Sequence, residues 1–180
     1  LDITQRKNNE QKLLTTSHLL DQSQKISKVG GWQLDLISNE LFWTAETYRI
    51  HETSPETFNP NVDAGVSLFL PESRQVITEA LDAAINQGRG YDLELETYTT
   101  KGSLIDIRTT CIATMNNGKS TKLTGIFQDI SEQKAIQRKL EKSNRDLEAV
   151  NEILSRGANY DALTGLPNRN LLADRMEQAI

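Results

Sequence analysis

The sequence predicts an α+β domain: a five-stranded antiparallel sheet with short helices gathered on one face, flanked by a longer helix at each end. Three observations predict it. Period-two alternation in WQLDLIS and YDLELETYT, with LFW, LIDIRTTCIATM and KLTGIFQDI beside them, marks five strands, Lys101-Gly102 and Asn116-Asn117-Gly118 separate the last three as turns, and an apolar run at three-to-four spacing lies between the second and third. The 180 residues supply one complete core with attachments, at about 100–200 residues per domain.

Gln5 to about Lys28 carries neither Gly nor Pro, and Leu13, Leu14 and Leu20 give it only a thin apolar stripe, so it reads as a polar connecting helix. Val29-Gly30-Gly31 breaks it. In WQLDLIS, Trp32, Leu34 and Leu36 alternate with polar residues as in a half-buried strand; Ser38-Asn39-Glu40 supplies a turn and LFW a second strand, making a hairpin. Thr44 is placed to cap a short helix carrying Tyr48 and Ile50, and Ser54-Pro55-Glu56 has the order of another helical start. Pro71 opens the longest internal helix, with Val76, Ile77, Ala80, Leu81, Ala84 and Ile85 on one face and Gly88 as its stop. The strands YDLELETYT, LIDIRTTCIATM and KLTGIFQDI follow, the Asn-Gly pair being the strongest hairpin signal.

Hydrophobic residues make up 37% and charged residues 25%, with a net charge of −5, which lacks the basic excess that a phosphate backbone attracts; no nucleic-acid partner is expected. No apolar run approaches the ~20 residues of a membrane span, so the segment is expected in the cytoplasm without membrane contact. Beginning without Met and ending inside an apparent helix, it reads as a piece of a longer protein, whose anchor, if it has one, would lie upstream. The single cysteine, Cys111, excludes an internal disulfide and a multi-cysteine metal site, and no metal site is expected. Asp92, Glu94 and Glu96 read as a solvated strand face rather than a cation site.

One phrase occurs twice. LDITQRKNNEQKL opens the chain and QDISEQKAIQRKL returns, so that Asp2, Ile3, Thr4, Lys7, Lys12 and Leu13 align with Asp129, Ile130, Ser131, Lys134, Lys139 and Leu140 at a constant offset of 127 residues (129 minus 2). Where a strand hands over to a helix, exposed amides need acceptors, and Asp129 or Ser131 can supply them. The phrase is a joint between sheet and helix. Beyond it, Ile136, Leu140, Ser143, Leu147, Val150 and Leu154 fall at alternating spacings of four and three, a heptad seam whose natural product is a parallel homodimer. A plain surface helix packed on its own domain is the alternative.

Over roughly Val29 to Ile130 the chain resembles a PAS domain, through GWQLDL, LFWTAETYRIH, PESRQVITEAL and the closing GIFQDISEQK. It departs from the related pattern at Leu70, where a His often precedes the Pro, and it lacks the tryptophan common on the penultimate strand. The resemblance implies that residues 1–4 end a preceding PAS domain, 5–28 form a helical linker, 29–130 the PAS domain and 131–159 a coiled-coil signalling helix. A second resemblance covers 160–180: YDALTGLPNRNLLADRM is similar to the entry segment of a GGDEF domain, its DxLTGLPNR pattern matched at Asp161, Leu163, Thr164, Gly165, Leu166, Pro167, Asn168 and Arg169. In that family the metal-binding carboxylates lie further on, so this chain is expected to hold no cyclase active site and no catalytic residue.

Trp32, Trp43, Tyr48, Phe58, Phe69, Ile107 and Cys111 are candidates for lining a small-molecule pocket, or for simple core. Haem is not expected, because Pro71 to Gly88 contains no His; His18 and His51 read as ordinary, partly exposed residues. A flavin is not expected, because Cys111 sits mid-strand. Together the resemblances imply a cytoplasmic sensory and dimerisation module that controls a diguanylate cyclase, an enzyme condensing two GTP into cyclic dimeric GMP, with Asp129, Ile130 and Ser131 transmitting the signal to the seam. The alternatives are a ligand-free spacer, a parent whose degenerate GGDEF domain precedes a phosphodiesterase, and a histidine-kinase sensor, against which the missing histidine after His51 argues.

Overall fold

The computed structural model describes residues 3–160, 164–166 and 168. The chain forms two compact units, Leu1–Glu132 and Gln133–Ile180. The first begins with α1 (Ile3–Ser27), then β1 (Val29–Asp35), β2 (Glu40–Trp43), α2 (Ala45–Ile50), α3 (Val62–Ser67), α4 (Pro71–Gln87), β3 (Tyr91–Tyr98), β4 (Leu104–Asn116) and β5 (Lys119–Asp129); α5 (Ser131–Asn159) starts at its end and supplies the second. The five strands form one antiparallel sheet in the order β2-β1-β5-β4-β3, so the first strand and the last lie side by side near its middle.

Strand alternation builds the core in rows. Trp43 pairs with Trp32, Trp32 with Gly125, Gly125 with Cys111 and Cys111 with Tyr91, a line that crosses all five strands. The next row, two residues along, is Leu41, Leu34, Leu123 and Ala113. Because side chains on a strand face alternate, these rows share the inner face, and Trp32, Leu34, Trp43, Cys111 and Leu123 are buried with Ala84 of α4 in one cluster. The opposite face carries Asp92, Glu94, Glu96 and Arg108, with Arg108 forked onto Asp92. That face is solvated.

Several elements differ from the sequence expectation, each for a local reason. Gly30 and Gly31 lie inside β1 instead of breaking the chain before it: a Cβ on Gly30 would overlap the hydroxyl and backbone of Thr47, so the glycine lets α2 rest directly on the strand. The same strand stops at Asp35, three residues early, because Asp35 Oδ1 accepts the amides of Ile37 (2.9 Å) and Ser38 (3.1 Å) and folds the turn. Thr44 occupies the cap position of α2 but does not cap it; its Oγ1 accepts the Gly31 amide instead. Ser54-Pro55-Glu56 starts no helix. Ser54 and Thr57 tie a turn there, and the next helix is α3, capped by Asn61 through the Ala64 amide at 2.8 Å.

The longest internal helix, α4, begins at Pro71 and ends at Gly88, whose φ of 66° closes it in the left-handed region. Its buried stripe is Ile77 and Ala84, with Leu81 and Ile85 half-buried; Val76, placed on that face by the spacing, is exposed. The β4–β5 hairpin turns through Asn117 and Gly118, both at positive φ, and β5 begins three residues before the Lys122 expected, its pairing with β4 shifting register between Thr114 and Met115.

Gly125 is the sterically tightest point of the sheet, since a Cβ there would meet the Thr110 carbonyl oxygen and the Trp32 indole. Gly125→Ala is expected to destabilise the domain by about 1–3 kcal/mol or more, the usual scale of overpacking. Urea unfolding reads this as a lower midpoint; an unchanged midpoint would mean that Trp32 and Thr110 yield freely.

Candidate functional site

Two places in the first unit carry chemistry beyond a plain core: an apolar cavity on the inner face of the sheet, and the hydrogen-bonded junction where β5 ends. The cavity has a volume of about 50 Å³ and is walled by Trp32, Leu34, Trp43, Phe69, Tyr91 and Phe127, among others. Ligand sites commonly run to ~300–1,000 Å³. In this conformation the space fits one very small molecule, and a larger ligand requires the walls to part. Trp32, one of its walls, has an indole Nε1 that is buried without a hydrogen-bond partner, as is the Thr109 hydroxyl on the neighbouring strand. A buried donor of this kind costs free energy until an acceptor reaches it.

Of the pocket residues expected from sequence, Trp32, Trp43 and Phe69 are in the wall. Tyr48 and Phe58 stand behind it, Tyr48 edge-on to Trp43 at 5.5 Å between ring centroids and Phe58 stacked at 5.3 Å. Ile107 and Cys111 are core residues outside the wall, and burial pushes the Cys111 thiol up to about 11, where it stays protonated and unreactive at neutral pH. Leu34 and Phe127 were legible as inward positions from the alternation of their strands; the contribution of Tyr91 depended on a cross-sheet register that sequence does not contain.

His51 departs furthest from expectation. Expected to be partly exposed, it is 1% exposed, with its ring 4.5 Å from Trp43 and edge-on to Phe127 at 5.2 Å. Its Nδ1 lies 2.9 Å from the Thr47 carbonyl oxygen, so Nδ1 carries the proton and donates it. Burial lowers the imidazole pKa, opposed by that hydrogen bond. A helix-terminal histidine looks exposed in sequence. Here α2 has only six residues, and the histidine just after it packs against Trp43 and Phe127 of the sheet.

At the junction, four hydrogen bonds converge. Asp129 Oδ1 accepts the Ser131 amide at 2.9 Å, the Ser131 hydroxyl accepts the Asp106 amide at 3.0 Å, and the Ile130 amide donates to the Asp106 carbonyl at 2.9 Å. The fourth joins the two ends of the domain: the Asp129 amide donates to the Lys28 carbonyl at 3.2 Å, and Lys28 Nζ meets Glu132 at 3.0 Å, which raises the lysine pKa. Ile130 is buried. The entry and exit of the domain are thus fastened to each other and to β4.

In the second unit, Ile136, Leu140, Leu147, Val150, Ile153 and Leu154 are each at least half exposed along α5, and Ser143 interrupts the stripe. The helix end is closed by Asn168, whose Nδ2 donates to the Ala158 carbonyl at 2.6 Å and whose amide donates to that of Asn159 at 2.8 Å. Thr164 Oγ1 accepts the Leu166 amide and Gly165 has a φ of 68°. Asp161, Leu163, Pro167 and Arg169 of the entry motif lie outside the described residues. Among those described, no helix is long and apolar enough to cross a membrane.

The family model for the PAS fold matches residues 40–127. The chain is similar to a sensory box histidine kinase/response regulator from Burkholderia thailandensis E264, with 18% identity, 72% of this chain and 98% of that chain covered, and a TM-score of 0.58. It is also similar to the N-terminal domain of a diguanylate cyclase with PAS/PAC sensor from Marinobacter aquaeolei, with 13% identity, 58% and 97% covered, and a TM-score of 0.53. An RNA-binding light-oxygen-voltage receptor matches with 16% identity and a TM-score of 0.53, over 66% of this chain and 35% of that one. These likenesses establish the fold. No curated protein sequence matches.

The His51 environment predicts an acid-sensitive fold. Its folded pKa lies below the value of about 6.5 that it regains when unfolded, so its contribution is complete above pH 6.5 and is lost as pH falls toward the folded pKa. Between those values stability should fall by up to ~1.4 kcal/mol per pH unit. The His51→Gln variant should lose that slope in urea titrations at pH 5–7; an identical slope would place the acid sensitivity elsewhere.

Proposed function

Because this chain carries a domain of the PAS fold, we propose that it is a cytoplasmic sensory and dimerisation module that relays a signal through α5 to a GGDEF diguanylate cyclase domain in the same protein. The observation that carries this reading is the junction at Asp129, Ile130 and Ser131, where a hydrogen bond from Asp106 of β4 reaches Ser131, the first residue of the outgoing helix, and the Asp129 amide two residues earlier bonds to the Lys28 carbonyl just ahead of β1. A change in strand packing on the sheet has a direct mechanical route to α5 there.

The input is a small, mostly apolar molecule that parts the walls of the cavity and offers an acceptor to Trp32 Nε1. Parting Trp32 and Trp43 moves β1 and β2, and β1 is bonded to β5 along its whole length. The output is the α5 stripe, which pairs with that of a second copy in parallel. A cyclase that joins two GTP needs two catalytic domains facing each other, so the register of two helices sets its rate. Ligands typically supply only ~1–3 kcal/mol of coupling, and a seam of about three heptads broken by Ser143 is marginal enough for that to move it. The TGLPN segment after α5 supports a GGDEF domain as the effector, and the similar sensor domain of a diguanylate cyclase is consistent with it.

Replacing the polar seam residue tests the relay. In the full-length protein, wild type should make cyclic dimeric GMP from GTP at a rate its signal changes severalfold. Ser143→Leu should fix one register and hold the rate nearly constant with or without the signal. A Ser143→Leu protein regulated like wild type would rule out control by register, and a wild type that makes no product would exclude the cyclase reading.

A further inference from the structure

Building on the proposal that the cavity takes the input, we infer that its occupant is an apolar molecule bearing one neutral oxygen acceptor, a ketone or an alcohol rather than a carboxylate or an amine, and that this oxygen engages both the Trp32 indole and the Thr109 hydroxyl. Trp32 is 5% exposed and Thr109 is fully buried, and Trp32 Nε1 and Thr109 Oγ1 are the two buried side-chain polar atoms without a hydrogen-bond partner among the described residues. Both residues lie on the inner face of the sheet. Trp32 faces Gly125 of β5, and Thr109 faces Phe127 two residues further along that strand, whose ring centroid is 6.4 Å from that of Trp32. Buried polar groups in folded proteins are almost always paired, so two orphans flanking one aromatic ring point to a ligand that carries an acceptor.

The surroundings decide the charge of the occupant. No charged side chain lines the cavity. Its one phenol, Tyr91, is raised in pKa by burial and stays protonated, so it too is neutral. A carboxylate there would lose its water without gaining a cation, and an ammonium would gain little, because an indole N–H donates and cannot accept. An uncharged oxygen suits both orphans, since its lone pairs take the indole proton and the hydroxyl proton together. Phe127 lines the cavity while Thr109, in register beside it, does not. The ring must therefore turn for the oxygen to reach Thr109. Phe127 stands two residues before Asp129, so this movement loads β5 next to the junction.

Indole N–H resonances test this in the 180-residue chain, nitrogen-15-labelled at its two tryptophans, the Trp32 signal being the one that Trp32→Phe removes. The probes are cyclohexanone, cyclohexane and cyclohexanecarboxylate, which share a ring and differ in the polar group. Cyclohexanone should bind and move the Trp32 indole proton downfield. Cyclohexane should bind about tenfold more weakly without that shift, the worth of one hydrogen bond, and the carboxylate should not bind at neutral pH. Thr109→Val keeps the shape and removes the hydroxyl; it should weaken cyclohexanone about tenfold, leave cyclohexane unchanged, and raise the urea midpoint of the free protein, because an unpaired buried hydroxyl has gone. If cyclohexane binds as tightly as cyclohexanone in wild type and in Thr109→Val, the acceptor is dispensable: the assignment fails, and the cavity stands as a purely apolar input site. Tightest binding by the carboxylate would overturn the neutral class. An indole proton already downfield in the free protein and unmoved by cyclohexanone would mean that a buried water holds it, which overturns the assignment too. If neither cyclohexane nor cyclohexanone binds, the cavity is not the input site, and the failure is that of the proposed function.

Discussion

Gly125 opposite Trp32 is the contact on which the rest of the domain depends. The two residues pair across β1 and β5, the strands that bring the chain in and take it out, and the missing side chain at 125 is what gives the Trp32 indole its place against the sheet. From that seat Trp32 continues to Trp43 on one side, while Gly125 continues to Cys111 and Tyr91 on the other, so one close approach fixes the register of all five strands. A slip by one residue would turn the whole row outward. The helices then have one surface on which to pack.

That register also brings the two ends of the domain together. Because β1 and β5 are adjacent, the last residue before β1 and the first residues after β5 are neighbours, and the Lys28 carbonyl and Asp129 amide bond directly. The cavity sits on the inner face of the same two strands, walled by Trp32 and Leu34 from β1 and Phe127 from β5. In the proposed relay, a molecule occupying it would push on the strands that end at the junction. His51, buried against Trp43 and Phe127, is part of the same wall structure from behind, which makes its neutral state a condition of the packing.

Much of this was legible in the sequence, because alternation and turn chemistry are local. The five strands, α4 with its Pro71 start and Gly88 stop, and the hydrogen-bonding capacity of Asp129 and Ser131 all follow from residues close together in the chain. What was not legible depends on residues far apart. Gly30 reads as a helix breaker until Thr47 is seen against it; Thr44 reads as a cap until its hydroxyl is found on Gly31; His51 reads as exposed until Trp43 and Phe127 close over it. The cavity shows the same division. Its Trp32, Trp43 and Phe69 were identifiable as large inward aromatics, whereas Ile107 and Cys111 share their burial but not their access to the space.

As proposed, the chain is one half of a paired relay, with a small molecule between its sheet and its helices. A native mass spectrum of the 180-residue chain, recorded across a range of concentrations, addresses both parts at once. The expected result is a species of twice the chain mass whose share grows with concentration, carrying the added mass of a bound small molecule. A monomer of bare chain mass at every concentration would contradict it.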